Sequence, residues 1–284
     1  MLTNNLNLPR SIVAAVTNDP YTKGHSDISV TTLIQPPYLR KLRESGVEIV
    51  EDVSDRIWSL LGQSVHTVLE RAYPEGSTDA IVEQRMYAHV NGWVVSGQMD
   101  VIEGGVLNDF KVTSVWSAKG KKEWEEQLNL LAYLANEEYK SSGDERYIIK
   151  ELQIIAIFRD WVQSKAEFDS GDYPKAQVGV IKIPLWSHER QAEFMLERVR
   201  LHQMETPPQC TDEERWKTED VYALKKDGRK SAVKLYSDLT EAENAMTAAG
   251  KGHFVEFRKG EYRRCAGYCN VSHACPIYKS EVEF

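Results

Sequence analysis

The stretch that decides the fold is VVSGQMDVIEGGVLNDFKV, residues 94–112. Its β-branched residues suit strands, and Gly104-Gly105 suits a two-residue hairpin turn whose backbone is left-handed. With these glycines as the loop, residues equidistant from the turn face one another, and Asp100 falls opposite Asp109. Side chains alternate faces with period two, so Lys111 shares the face of Asp109, and facing Cβ atoms are roughly 5 Å apart. Two carboxylates and an ammonium converge. Like charges opposed in a sheet repel, and a bound cation offsets that repulsion. Hard oxygen donors at this spacing suit Mg²⁺ or Mn²⁺, with the ammonium free to stabilise charge on a phosphorus oxygen. The competing reading of the same residues is a solvated sheet face, which antiparallel sheets often present.

Outward from the hairpin, residues 80–113 read as a three-strand meander with Asn91-Gly92 at its other turn. Before it, residues 54–72 form a helix with Ile57, Leu60, Leu61, Val65, Val68, Leu69 and Ala72 at helical spacing, and His66 at the edge of that stripe. After it come a helix at 121–140, strands near 148–158 and 177–183, and a helix at 187–204. This order predicts an α/β fold, a mixed sheet flanked by helices. Residues 1–30 read as polar and irregular, followed by a short helix capped by Thr31 or Thr32, reaching about residue 43 and interrupted by Pro36 and Pro37.

Past Pro207-Pro208 the pattern predicts a small ββαβ unit: strands at 221–225 and 232–236 around Asp227-Gly228, a helix at 239–249 and a strand at 253–257. The expected division is a core over 1–205 and a module over 206–284. The unit lies between Cys210 and three clustered cysteines, Cys265, Cys269 and Cys275. Four thiolates with three close in sequence suit a metal centre, either tetrahedral zinc or an iron–sulfur cluster, and spacing alone leaves both open. Disulfides fit less well with the cytoplasmic setting expected below.

With 42% hydrophobic and 27% charged residues, the 284-residue chain can bury a full core. Its net charge of -8 argues against coating nucleic acid through bulk positive charge. The distribution is uneven: residues 221–264 carry ten Lys or Arg against six Asp or Glu. The apolar run at 11–16 is too short for a signal-peptide core or a membrane span, so the expectation is a cytoplasmic protein without a membrane partner.

Taken in order, GQSVH at 62–66, GQMD at 97–100, DFK at 109–111 and QLNLLAY at 127–133 resemble the PD-(D/E)XK nuclease superfamily, in particular its RecB-like exonuclease branch. The match covers roughly residues 30–160. The resemblance implies a restriction-endonuclease-like core and metal-dependent hydrolysis of DNA phosphodiesters. It makes His66, Asp100 and Asp109 metal ligands, Lys111 the catalytic lysine, and Gln127, with Tyr133, helix-borne contacts to that lysine or to DNA phosphate. Met99 stands where the family name has proline, Asp109 where many relatives have glutamate, and Tyr133 follows Gln127 by six residues where the family more often shows four. Glu83 is a further candidate acidic partner. Several RecB-like nucleases, among them CRISPR-associated and AddB-type enzymes, carry a 4Fe-4S cluster on three C-terminal cysteines plus one placed before the core; here the fourth, Cys210, follows it. The resemblance therefore favours a structural 4Fe-4S cluster over zinc.

DNA is the expected partner. Lys119, Lys121 and Lys122 follow the hairpin and could meet the backbone near the site, and Lys225, Lys226, Arg229 and Lys230 could do so further away. Trp116 and Trp124 are candidates for stacking on bases or for the core. Alternatives are a structure-specific or DNA-trimming nuclease, with protein partners in recombination, repair or phage DNA processing, and a catalytically silent DNA-binding scaffold.

Overall fold

The computed structural model describes residues 2–19, 22–49, 51–73, 78–168 and 171–282. It is a mixed α/β protein. The chain divides into two units, one of residues 1–41 and 50–208, the other of 42–49 and 209–284. The division falls at 208 where the sequence suggested 205, and it assigns residues 42–49 to the second unit.

The first unit is organised by the hairpin. Val101–Glu103 and Val106–Thr113 pair antiparallel with Val101 opposite Asn108, the expected register, and Gly104 and Gly105 take φ of 59° and 81°. Both values need glycine, because an L side chain would clash there. Val106–Thr113 then pairs in parallel with Glu151–Phe158, which pairs antiparallel with Val178–Ile183; on the other side Val101–Glu103 pairs with Ala80–Val82. The result is one five-stranded mixed sheet.

The expected three-strand meander is corrected in one respect. Residues 80–90 run antiparallel to 93–103, but the ladder is broken at Glu83, whose φ of 48° is left-handed, and at Asp100 opposite it. Arg85–Val90 and Trp93–Gln98 therefore form a separate sheet with Ile28–Ser29. A single non-glycine residue out of the β region turns the strand pair from one sheet into the other.

Lys122–Ser142 is the central helix. Trp124, Leu128, Leu130, Leu131, Ala132, Leu134 and Ala135 are buried along it, and Gly143 closes it in the left-handed conformation, its N–H donating to Tyr139 O. The helix approaches Trp93–Gln98 closely enough that a Cβ on Gly97 would lie 2.4 Å from Leu131 Cδ2. His188–Gln203 starts at Ser187, whose hydroxyl accepts from Arg190 N. Asn129 is fully buried and satisfied: its amide donates to Glu125 O and Pro184 O, and its oxygen accepts from Trp186 N and Gln191.

Two local expectations fail. Residues 1–30 include a helix, Arg10–Thr17, and Ser29 rather than a threonine caps Val30–Leu33, which Pro36 separates from Pro37–Glu44. The helix at Ile57–Glu70 begins after a turn capped by Asp52, but its apolar stripe is not a core face. No residue of it is fully buried, and Leu61 and Val68 are exposed.

The second unit contains the ββαβ order: Val221–Lys226, Lys234–Tyr236, Leu239–Ala249 and His253–Arg258, with Val221–Lys226 central in a three-stranded antiparallel sheet. Among its described residues Ala223, Ala242 and Val271 are fully buried and Leu224 nearly so, a small core for its length. No helix among the described residues is long and apolar enough to cross a membrane.

Candidate functional site

The break between the two sheets creates the site. Asp100 sits at the step, just before Val101–Glu103, and its Oδ2 accepts from Phe110 N at 2.6 Å, which pins the carboxylate across the hairpin. Opposite Asp100, the left-handed backbone of Glu83 brings a second carboxylate to the same place, held by Gln98 Nε2 at 2.7 Å. Ile57–Glu70 supplies the third group. His66 Nε2 lies 2.9 Å from Phe110 O, and Nδ1 lies 3.4 Å from Asp100 Oδ1 and 3.9 Å from Glu83 Oε1.

That arrangement fixes which ring nitrogen does what. A carbonyl oxygen only accepts, so Nε2 must donate to Phe110, and Nδ1 faces two carboxylates. A lone pair there repels them, while a proton or a metal cation attracts them. Hydrogen bonding to Asp100 and then to Glu83, against burial, raises the His66 pKa to about 10. One candidate ligand atom from each of His66, Glu83 and Asp100 lies within 4.8 Å of the others. One imidazole and two carboxylates form a donor set suited to a divalent cation, and the carbonyl behind Nε2 orients the ring as metal-binding histidines require. An open cleft of about 710 Å³ reaches this cluster, lined also by Gln63, Thr67, Arg85 and Gln98.

Asp109 and Lys111 are adjacent but arranged differently from the expectation. Asp109 is 2% exposed, and its Oδ2 lies 2.6 Å from Lys111 Nζ. Burial pushes the Asp109 carboxyl pKa up, Lys111 opposes that, and Asp100 adds to it. For Lys111, burial works against the ammonium, but Asp109 and Asp100 outweigh it and hold the pKa above its usual value. The expected ligand trio of His66, Asp100 and Asp109 is therefore not the one brought together. Glu83 stands in the 4.8 Å group where Asp109 was expected, and Asp109 pairs with Lys111. Gln127 reaches Asp109 rather than Lys111, at 3.5 Å from Nε2 to Oδ1.

The remaining candidates divide. Tyr133 stacks on His188 with ring centroids 5.4 Å apart, since six residues along a helix carry it to a different face from Gln127. Lys119 pairs with Asp172 at 2.7 Å, and Lys122 borders a cleft lined by Glu125, Glu126, Glu193 and Glu197, surroundings that repel a phosphate backbone. Lys121 stands over the ring of Trp124 at 5.1 Å. Trp124 is buried in the core, whereas Trp116 is 89% exposed. In the second unit Lys225 pairs with Glu256 at 3.3 Å, and Arg229 donates to Ser231.

All four cysteines are unpaired thiols in the second unit. Burial pushes the Cys210 thiol up to about 12, with Glu214, Cys275 and Cys265 adding and Arg264 opposing. Cys269 is also raised, by burial and by Cys265 and Cys275. Cys265 and Cys275 thus lie within electrostatic reach of both Cys210 and Cys269. Among the described residues no three of them fall within 4.8 Å.

No family model matches the chain, and no curated protein matches it. Among solved structures, the crystal structure of SSO0001 is similar over 69% of this chain and 85% of that one, at 14% identity and a TM-score of 0.46.

Proposed function

We propose that the chain is a divalent-metal-dependent deoxyribonuclease of the PD-(D/E)XK type, related to RecB-like exonucleases, with a cysteine-bound 4Fe-4S cluster in its second unit. The observation that carries the reading is the convergence of His66 Nδ1, Asp100 and Glu83 beside the Asp109–Lys111 pair. A restriction-endonuclease-like core agrees with the hairpin that crosses into a parallel strand pair covered by the Lys122–Ser142 helix.

In this reading Asp100, Glu83 and His66 would hold Mg²⁺ or Mn²⁺, with the Asp109–Lys111 pair beside them. When bound, the cation supplies a Lewis acid and a water of lowered pKa. The protein supplies the rest. Phe110 holds Asp100 by its N–H and His66 by its carbonyl, so one backbone unit sets the positions of both. Lys111 has a raised pKa and so serves as a fixed positive charge for a phosphorane-like oxygen rather than as a base. Gln127 restrains Asp109 from the central helix.

A cluster is preferred to zinc on the resemblance alone, since the number and spacing of the cysteines suit either. A unit with so little buried apolar surface benefits from a metal staple. Anaerobic purification followed by iron, sulfide and zinc quantification distinguishes the two.

The test of the nuclease reading is cleavage of end-labelled single- and double-stranded DNA with Mg²⁺ or Mn²⁺. The wild type should degrade DNA, and Asp109→Ala and Lys111→Ala should each lower the rate by about 10²- to 10³-fold or more while retaining DNA binding. The product ladder separates exonucleolytic from structure-specific endonucleolytic action. Wild-type protein that binds DNA without cutting it returns the function to a silent scaffold.

A further inference from the structure

The ends of the two parallel strands carry groups that the metal site does not use. Val106–Thr113 and Glu151–Phe158 pair to their last residues, Thr113 opposite Phe158. Beyond them the chain turns at Ser114 and at Arg159, whose N–H donates to Thr113 O. Asp160 ties the two turns together, accepting from Ser114 Oγ at 2.7 Å and from Val115 N at 2.8 Å. The turn so held presents Trp116 almost fully to solvent. Arg159 lies over the ring of Trp58, at 4.4 Å, and Trp58 as a residue is 55% exposed.

Trp116, beyond Thr113, and Trp58, whose ring carries Arg159 from beyond Phe158, are two largely exposed aromatic side chains near the same ends of these strands, and neither belongs to the core. Two cations and two carboxylates, Arg159 and Lys121 with Asp160 and Glu123, lie about this end of the strands. Burial draws the pKa of Lys121 down, Glu123 opposes, and Arg159 adds to the fall, so the two cations are near enough to repel. An anion between them relieves that repulsion. Lys111 is two residues before the end of its strand and three before Ser114, so this end of the strands lies roughly 10 Å along the chain from Lys111.

We propose that Trp116 and the Trp58–Arg159 pair form a stacking site for unpaired bases of a nucleic-acid strand, with Arg159 and Lys121 meeting its phosphates. Its position beside the reacting groups rests on the nuclease reading, but its existence as a binding site does not. Every base has a π face, so such a site tolerates sequence and selects for strands that are not paired. Trp124, buried under Lys121, takes no part.

The experiment measures the affinity of the full chain for a short oligothymidylate and for an abasic deoxyribose-phosphate strand of equal length, with Ca²⁺ in place of Mg²⁺ to prevent cleavage. Trp116→Ala should weaken the oligothymidylate by roughly 5- to 150-fold and leave the abasic strand unchanged, and Trp116→Phe should restore most of the loss. Arg159→Ala should weaken both strands. Because Trp116 is exposed, its replacement leaves folding intact, which circular dichroism checks. Unchanged oligothymidylate affinity in Trp116→Ala, an equal loss for both strands, or no binding of either strand by the wild type overturns the proposal. Cleavage by the wild type with Mg²⁺ is scored separately. Trp116-dependent binding without cleavage retains the stacking site and rejects the nuclease, and cleavage with Trp116-independent binding does the reverse.

Discussion

At His66 the two ring nitrogens are committed to different partners, Nε2 to Phe110 O and Nδ1 to two carboxylates, as the proposed metal-ligand role requires. His202 is the contrast. Its Nε2 meets the carbonyls of Leu33 and Gln35, and its buried Nδ1 has no hydrogen-bond partner. Burial first, then Arg198 and Arg40, lower its pKa to about 4, against the pull of those two carbonyls. The folded pKa lies below the unfolded value of about 6.5, so the unfolded chain binds the extra proton first. The contribution of neutral His202 is fully present above about pH 6.5, is lost as the pH falls towards 4, and amounts to at most about 3 kcal/mol. His202→Gln should lower the urea midpoint at pH 7.5, and its deficit against the wild type should shrink by pH 4.5. Glu83 belongs to this scale too. Its left-handed backbone is strain kept at a site, and Glu83→Gln should raise the Mn²⁺ concentration for half-maximal cleavage by about 10- to 100-fold. An unchanged Mn²⁺ requirement would remove Glu83 from the ligand set and return the place to Asp109.

Among the elements, the hairpin and the central helix behaved as their patterns require, because turn chemistry and side-chain period are local properties. The strand pair before the hairpin did not. Nothing in residues 80–103 other than Glu83 and Gln84 marks the break, and glutamate gives no warning of a left-handed φ. The Ile57–Glu70 helix misled in another way: its apolar spacing is real, but the neighbours available to it cover only part of the stripe. Gly97 is the point where helix and strand meet. Gly97→Ala would put a Cβ 2.4 Å from Leu131 Cδ2 and 3.0 Å from Leu134 Cδ1, side chains that are themselves buried. It should cost about 1–3 kcal/mol, read as a lower denaturant midpoint with unchanged slope. Asn129→Ala should cost a similar amount, because it removes the interior partners of Trp186 N–H and of the Pro184 carbonyl.

For the whole molecule, two units of different internal strength share one chain. The first has a broad apolar core around the Lys122–Ser142 helix, whereas the second buries few large side chains and gathers its cysteines instead. Cys275→Ser, or iron chelation, should speed hydrogen exchange through residues 209–284 and leave exchange in residues 106–158 unchanged; uniform acceleration would mean that the centre supports the whole chain. By itself the sequence determined the register about Gly104-Gly105, the helix that carries Gln127 and the ββαβ order between Cys210 and Cys265, since each depends on neighbours a few residues away. The tertiary structure alone decided that Glu83 joins His66 and Asp100, that Asp109 pairs with Lys111, and that Trp116 is exposed while Trp124 is buried. Those outcomes depend on which distant groups arrive beside each residue, and burial and pairing of charge are set by that company rather than by local pattern.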